Sequence, residues 1–228
     1  MGLTFAVPDI HGRLGLLEQA LATIAGMASR GTVVFLGDYV DRGPDTRRVV
    51  ERLMAGPGEG WRWITLEGNH ENHMVRAIRE HTPVTWLEKN GGGATLLSYG
   101  HARSGRLDYD IVPPKHLDWL ASLPLLHEDR FRLYVHAGID PSLPLDRQDG
   151  RVVRTTRYPD GDIDGYPGRH LVHGHSRAGF VTRGNRTALD LYHRDRHAMA
   201  LAVFDDDRPG GPIEVRTLRE PADAPREA

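Results

Sequence analysis

Five short apolar runs of strand length are each followed by side chains able to hold a divalent cation. Asp9 and His11 follow Leu3 to Val7, Asp38 follows Thr32 to Leu36, and Asn69 and His70 follow Trp61 to Leu66. His136 follows Phe131 to Val135, and His173 and His175 follow His170 to Val172. In α/β sheets ligands collect beyond the carboxyl ends of strands, so five such strand ends in one relative position point to a shared site. A single Asp or His there is more often a turn residue or a satisfied histidine. Oxygen and imidazole donors without sulfur suit Mn, Fe, Zn or Ni better than Mg or Ca. Asp9, His11, Asp38, Asn69, His136 and His175 exceed what one catalytic ion with open positions needs. Two divalent metal ions are therefore expected, about 3.5–4 Å apart, with Asp38 as the bridging carboxylate. Water shared by such ions ionises near neutral pH, so solvent rather than a side chain is the expected nucleophile.

Strands and helices must alternate to bring these residues together. Between the first two runs, Leu14, Leu17, Leu21, Ile24 and Ala28 form an apolar helical stripe, and Thr46 to Met54 reads as a second helix after Pro44 and Asp45. The first half thus alternates strand and helix, which predicts parallel pairing with right-handed crossovers. Thr187 to Leu191, Ala198 to Phe204 and Ile213 to Leu218 are separated by short polar or Gly/Pro stretches, as in antiparallel hairpins. The sum is a mixed α/β architecture with two sheets. Asn90 to Gly93 reads as a loop and Pro113 to Leu123 as a helix. Residues 1–219 are expected to form one domain and residues 220–228 a loose tail.

Composition removes several function classes. The 228 residues include no cysteine, which excludes disulfides, thiolate metal sites and a cysteine nucleophile. A net charge of -2 gives no general attraction to nucleic-acid polymers or membranes, so an anionic substrate must be attracted locally. The start of the chain lacks a secretory pattern, and the cytoplasm is the expected location. No glycine-rich nucleotide loop or serine elbow is found, which disfavours a kinase, a dehydrogenase or a serine hydrolase. Asp160 to Gly165 imitates a calcium loop, but Leu171 stands where a bidentate Glu belongs. His81, His101, His116, His127, His193 and His197 fit no ligand spacing and are read as solvent-facing or capping residues.

Pro8-Asp9-Ile10-His11-Gly12, Gly37-Asp38-Tyr39-Val40-Asp41-Arg42-Gly43, Gly68-Asn69-His70-Glu71, His136-Ala137-Gly138 and His173-Gly174-His175 together resemble the ordered motifs of the phosphoprotein phosphatases among the calcineurin-like metallophosphoesterases. The stretch from Trp86 to Gly100, with Asn90-Gly91-Gly92 and Ala94-Thr95-Leu96, resembles bacterial serine/threonine phosphatase members. This resemblance implies a metallophosphoesterase sandwich of two mixed β-sheets flanked by helices. It also implies that Asp9, His11 and Asp38 hold one metal, and Asp38, Asn69, His136 and His175 the other, leaving His173 outside. By the same likeness His70 protonates the leaving oxygen and Asp41 orients it. Arg42 offers a planar fork for phosphate oxygens. Arg154 is expected as the second clamp, with Arg157 as its substitute, and Asn69 is also expected to reach the phosphate. Two departures stand out: Pro8 where the family usually has glycine, and Leu191-Tyr192-His193 where many bacterial relatives carry small residues after the aspartate matched by Asp190.

The leading expectation is a manganese-activated phosphatase acting on phosphoserine, phosphothreonine or similar monoesters, in a phosphorylated protein or a small phosphoester. Its nearest rival is a symmetrical diadenosine tetraphosphatase, which shares these motifs. A non-catalytic phosphate-binding module is the rival from another class. Oligomeric state is not encoded in any pattern found.

Overall fold

A computed structural model of the chain describes residues 2–102, 108–159, 165–177, 179–192 and 195–220. The Asp160 to Asp164 part of the calcium-like loop, His193 and the tail from residue 221 lie outside the described residues.

The first sheet is built from β1 (Leu3–Val7), β2 (Gly31–Phe35) and β3 (Trp61–Thr65), with β9 (Ala198–Asp205) and β10 (Glu214–Arg219), in the order β10-β9-β1-β2-β3. The first three run parallel, as the alternating pattern predicts, and β9 joins β1 antiparallel with Thr4 opposite Phe204. Their crossovers are α1 (Leu14–Met27) and α2 (Thr46–Met54), which bury Leu16, Leu17, Ala20 and Ile24, and Val49, Val50 and Leu53. The second sheet contains β4 (Leu126–Glu128), β5 (Arg132–Val135), β6 (His170–His173), β7 (Val181–Arg183) and β8 (Arg186–Ala188), in the order β4-β5-β6-β8-β7. Strands β5, β6 and β8 are parallel, and β4 and β7 flank them antiparallel. Both sheets are mixed, as the family likeness implied.

Ala6, Val34, Leu36, Leu66, Tyr134, Val172, Leu189, Ala200, Ala202 and Phe204 form a dry cluster between the sheets. The opposite face of the first sheet packs on the helices through Phe5, Val7, Val33, Phe35, Met199, Leu201 and Val203. Each central strand therefore needs apolar residues at nearly every position, the run-like pattern that marks a strand covered on both faces. Among the described residues no helix is long and apolar enough to cross a membrane.

Three expectations change. Thr187–Leu191 and Ala198–Phe204 do not form a hairpin, because β8 belongs to the second sheet and β9 to the first. All eight residues of β9 are buried, so it requires cover on both faces and takes a central slot beside β1. The Asn90–Gly93 segment is a joint rather than a loop: α4 (Val84–Asn90) ends at Gly91, with φ 84°, and α5 (Gly92–Ser98) begins at once. A further helix, α3 (Asn69–Arg79), starts on the third ligand segment itself, with Met74, Val75, Ala77 and Ile78 as its buried stripe. Two more helices, α6 (Pro114–Ala121) and α7 (Gly150–Thr155), complete the layers. His116 on α6 is buried rather than solvent-facing, and its Nδ1 lies 2.9 Å from the Tyr99 hydroxyl.

Candidate metal centre

The carboxyl ends of β1, β2, β3, β5 and β6 open onto one edge of the sandwich, and the segments beyond them are laced together through the backbone. Ile10 and His11 both donate their N–H to the Asp38 carbonyl, at 3.0 and 2.8 Å, and Gly12 donates to the Tyr39 carbonyl at 2.8 Å. Gly174 donates to the His136 carbonyl at 2.8 Å, which ties the last two segments in the same way. Such close crossing requires unusual backbone: His11 (φ 47°), Asp38 (54°), Asp41 (71°), Arg42 (71°) and His175 (47°) are all left-handed. Non-glycine residues in that region cost about 1–3 kcal/mol each, and clustering of this kind is typical of functional sites. At Gly37, with φ 101°, a Cβ would lie 2.6 Å from the Gly68 nitrogen and 2.9 Å from His136 Nδ1, so only glycine fits.

One residue that received no role from the sequence holds this backbone in place. The fully buried Glu71 carboxylate accepts N–H groups from Asp38 (2.8 Å), Tyr39 (2.7 Å), Val40 (3.2 Å) and Gly68 (2.9 Å). It thereby clips the β2 segment to the N-terminus of α3. Burial and the nearby Asp38 charge push its carboxyl up to about 8, while its backbone donors pull the other way. Its place within Gly68-Asn69-His70-Glu71, three residues into a helix, is the pattern that could have found it.

The expected ligands converge. His11 Nε2 lies 4.0 Å from Asp9 Oδ2 and 3.7 Å from Asp38 Oδ2, and His136 Nε2 lies 3.4 Å from Asp38 Oδ1 and 3.0 Å from Asn69 Oδ1. Donor atoms of Asp38, His136 and His175 fall within 4.8 Å of one another, as do those of His11, Asp38 and His70. Asp38 is common to both groups, the geometry expected of a bridge. Asp9 Oδ1 also accepts the His175 N–H, at 3.4 Å, which links the first segment to the last.

The protonation pattern tests whether these residues suit a cation. His136 Nδ1 meets the Leu36 carbonyl at 2.8 Å and His11 Nδ1 meets the Val40 carbonyl at 3.0 Å, so both rings carry hydrogen on Nδ1 and aim a lone pair inward. Burial lowers His11 and His136 below the usual histidine range and pushes His175 down to about 3, favouring the neutral ring. For Asp9, burial and then the Asp190 and Asp38 charges act in the opposite sense, raising its carboxyl well above the normal range. Burial opposes charge on Asp38 too, but the imidazoles of His136, His70, His11 and His175 outweigh it and hold its carboxyl low. In the neutral ring, the lone pair of His136 Nε2 faces an amide oxygen and a carboxylate oxygen. Acceptors this close repel unless positive charge lies among them, and the donor set fits divalent cations.

His70 and Asp41 form a second layer beneath the ligands. His70 Nδ1 donates to Asp41 Oδ2 at 2.7 Å, and Asp41 Oδ1 also accepts from Trp86 Nε1 and Thr95 Oγ1, each at 2.8 Å. The Trp86–Gly100 stretch thus supports Asp41. Burial works against a charged His70, yet Asp38 and Asp41 prevail and raise it above the usual histidine value. Arg42 lies over the same region, with Nη1 2.7 Å from His11 Nε2 and Nη2 3.0 Å from His70 Nε2. Arg154 is engaged elsewhere, with Nη1 2.6 Å from Glu67 Oε2, whereas Arg157 Nε reaches within 3.4 Å of His175 Nε2. Of the two expected second clamps, Arg157 is the one that stands against an expected ligand, His175. His173 Nδ1 donates to the Gly174 carbonyl at 2.7 Å, and its Nε2 accepts from Arg186 at 3.0 Å.

Asp190 was noted in the sequence only as a family match. It is buried and accepts N–H groups from Ser176 (3.1 Å) and Tyr192 (2.7 Å), fixing the segment after His175. Burial raises its carboxyl to about 6.

A family model for calcineurin-like phosphoesterases matches residues 4–192. A symmetrical bis(5'-nucleosyl)-tetraphosphatase of Paracidovorax citrulli (strain AAC00-1) is 34% identical over 149 residues, 62% of this chain and 46% of that protein. One from Delftia acidovorans (strain DSM 14801 / SPH-1) is 30% identical over 167 residues, 68% of this chain and 53% of that protein. The chain spans about half the length of these curated relatives. A crystal structure described as that of a candidate diadenosine tetraphosphatase superposes with TM-score 0.66 at 23% identity, covering 97% of this chain and 95% of that one.

Proposed function

The chain belongs to the calcineurin-like phosphoesterase family, and from that premise we propose that it is a metal-dependent hydrolase cleaving dinucleoside tetraphosphates into two nucleoside diphosphates. The names of its relatives support this substrate class over the phosphoserine or phosphothreonine monoesters expected from the phosphoprotein phosphatase likeness. The observation that carries the catalytic reading is the inward-facing set of His136 Nε2, Asn69 Oδ1 and Asp38 Oδ1, three acceptors needing a shared positive charge.

Asp9, His11 and Asp38 would hold one cation, and Asp38, Asn69, His136 and His175 the other, with manganese as the expected pair and iron, zinc or nickel also suited to this mixed donor set. Bound there, the ions supply Lewis acidity towards phosphoryl oxygens and lower the pKa of nearby water. Arg42 is the phosphate clamp: its fork can leave His11 and His70 for two phosphoryl oxygens. Arg157, beside His175, is favoured over Arg154 as the second clamp, because Arg154 would first have to leave Glu67. Asn69 also borders the phosphate position. His70 delivers a proton to the leaving oxygen through Nε2, while Asp41 fixes the ring by holding Nδ1–H.

Chromatographic analysis of products from diadenosine tetraphosphate with manganese tests this reading. The expected product is adenosine diphosphate alone. Adenosine mono- and triphosphate in equal amounts would overturn the symmetrical assignment, and faster turnover of a phosphopeptide would return the site to phosphomonoesters.

A further inference from the structure

Tyr192 stands two residues after the buried Asp190, and its ring touches the centre. Its centroid lies 4.8 Å from that of His11, edge to face. The Arg42 guanidinium lies 4.6 Å from the Tyr192 centroid and that of Arg13 lies 5.0 Å from it. Arg13 is immobilised: Nε donates to the Ile10 carbonyl at 2.8 Å and Nη2 to the Asp9 carbonyl at 3.2 Å. Tyr192 is itself anchored through its N–H to Asp190. Arg42, by contrast, ends on the two ring nitrogens His11 Nε2 and His70 Nε2, and neither contact is to an anion.

This placement sets up a competition. His11 Nδ1 is committed to the Val40 carbonyl, so Nε2 carries the only lone pair that the ring can offer a cation. Arg42 Nη1 uses that lone pair. For His11 to bind an ion, the guanidinium must move off, and leaving also breaks its contact with the Tyr192 face.

We propose that Tyr192 is a positioning residue that holds Arg42 towards His11 Nε2, so that a cation and the guanidinium compete for one lone pair, and filling the first site frees the Arg42 fork for phosphate. The proposal rests on the two-metal reading above. It assigns the first site a weaker apparent affinity than the second, because Arg42 Nη1 holds His11 Nε2 at 2.7 Å whereas Arg157 Nε stands 3.4 Å from His175 Nε2.

Manganese titration of the chelator-stripped full chain by isothermal calorimetry provides the test, using wild type, Tyr192→Leu and Tyr192→Phe. Leucine keeps bulk and removes the π-face, whereas phenylalanine keeps the face. Wild type should bind two ions unequally. Tyr192→Leu should tighten the weaker site about 2- to 30-fold, the range of a single cation–π contact, and leave the tighter one unchanged. Tyr192→Phe should stay within about threefold of wild type, the weak end of that range. In steady-state assays the manganese activation constant of the leucine variant should fall. A wild-type capacity below two ions would sink the two-metal reading and the proposal with it. Two ions with no change in Tyr192→Leu, or equal changes in both variants, would sink the proposal alone. A second measurement needs only wild type: the Arg42 Nε–H resonance, assigned by its loss in Arg42→Lys, should be ring-shifted upfield in the stripped protein and lose that shift on adding zinc. An Arg42 resonance indifferent to zinc would overturn the exchange even if the leucine variant failed to fold.

Discussion

Replacing Asp41 by asparagine should separate proton delivery from metal binding. The carboxylate receives His70 Nδ1–H on Oδ2, at 2.7 Å, and Trp86 and Thr95 on Oδ1, each at 2.8 Å. Asparagine has a single oxygen, and two donors already converge on the Oδ1 position, so its NH2 turns towards His70. The ring must then surrender its Nδ1 proton and carry hydrogen on Nε2, with no anion behind it. Two unit charges about 4 Å apart at an effective dielectric of about 20 interact by about 4 kcal/mol, which bounds the loss from above. A single hydrogen bond to a charged group, worth about 1.5–3 kcal/mol, bounds it from below. At about 1.4 kcal/mol per decade, kcat should fall between about tenfold and a thousandfold. The assay compares p-nitrophenyl phosphate, whose aryl oxygen departs readily without a proton, with an alkyl phosphate, whose oxygen does not. Asp41→Asn should harm the alkyl substrate far more, and plasma emission analysis should still find two ions per chain. Equal losses on both substrates, or a lost ion, would refute the proton-delivery role and make Asp41 a support of the ligand backbone.

Glu71→Gln removes one of two acceptor oxygens that serve four backbone N–H groups. It should destabilise the fold by about 2–4 kcal/mol, as unsatisfied buried donors do, and an unchanged urea midpoint would contradict the clip. Chelation should lower the melting temperature, and manganese at about 100 times its dissociation constant should restore about 2.7 kcal/mol per site; a flat melting curve across that titration speaks against ligation. Buried His170, whose Nε2 lies 2.8 Å from Thr187 Oγ1, is pushed down to about 4 by burial and by Arg132. Unfolded histidine titrates near 6.5, so its contribution is complete above that pH and is lost as pH falls towards 4, on the order of 2 kcal/mol. His170→Gln should flatten that part of the urea-stability profile, and an identical profile would reassign the acid sensitivity.

The expected ligands were legible because each is a polar residue placed just beyond an apolar run, and strand ends are where a sheet exposes chemistry. His70 and Asp41 rested on family likeness, and their 2.7 Å contact gives that likeness a physical basis. What stayed hidden depends on tertiary partners. Glu71 looks like an ordinary first-turn glutamate until the backbone of Asp38 to Val40 arrives to fill it. Arg154 and Arg157 are three residues apart, and only the position of Glu67 distinguishes the engaged one from the one beside His175. The false hairpin has the same origin. Polar spacing between two strands fixes that the chain turns, but not whether it returns to the same sheet.

Strand β9 begins at Ala198, after the last expected ligand, His175, and pairs with β1 near the opposite end of the chain, Leu3 facing Asp205. A chain growing from the ribosome therefore displays every expected cation-binding side chain before it possesses the strand that closes the first sheet. Until β9 emerges, β1 has an open edge and the inter-sheet cluster lacks Ala200, Ala202 and Phe204. Assembly of the centre is thus a late event of biosynthesis, gated by completion of a long-range β pairing rather than by the order in which the ligands are made.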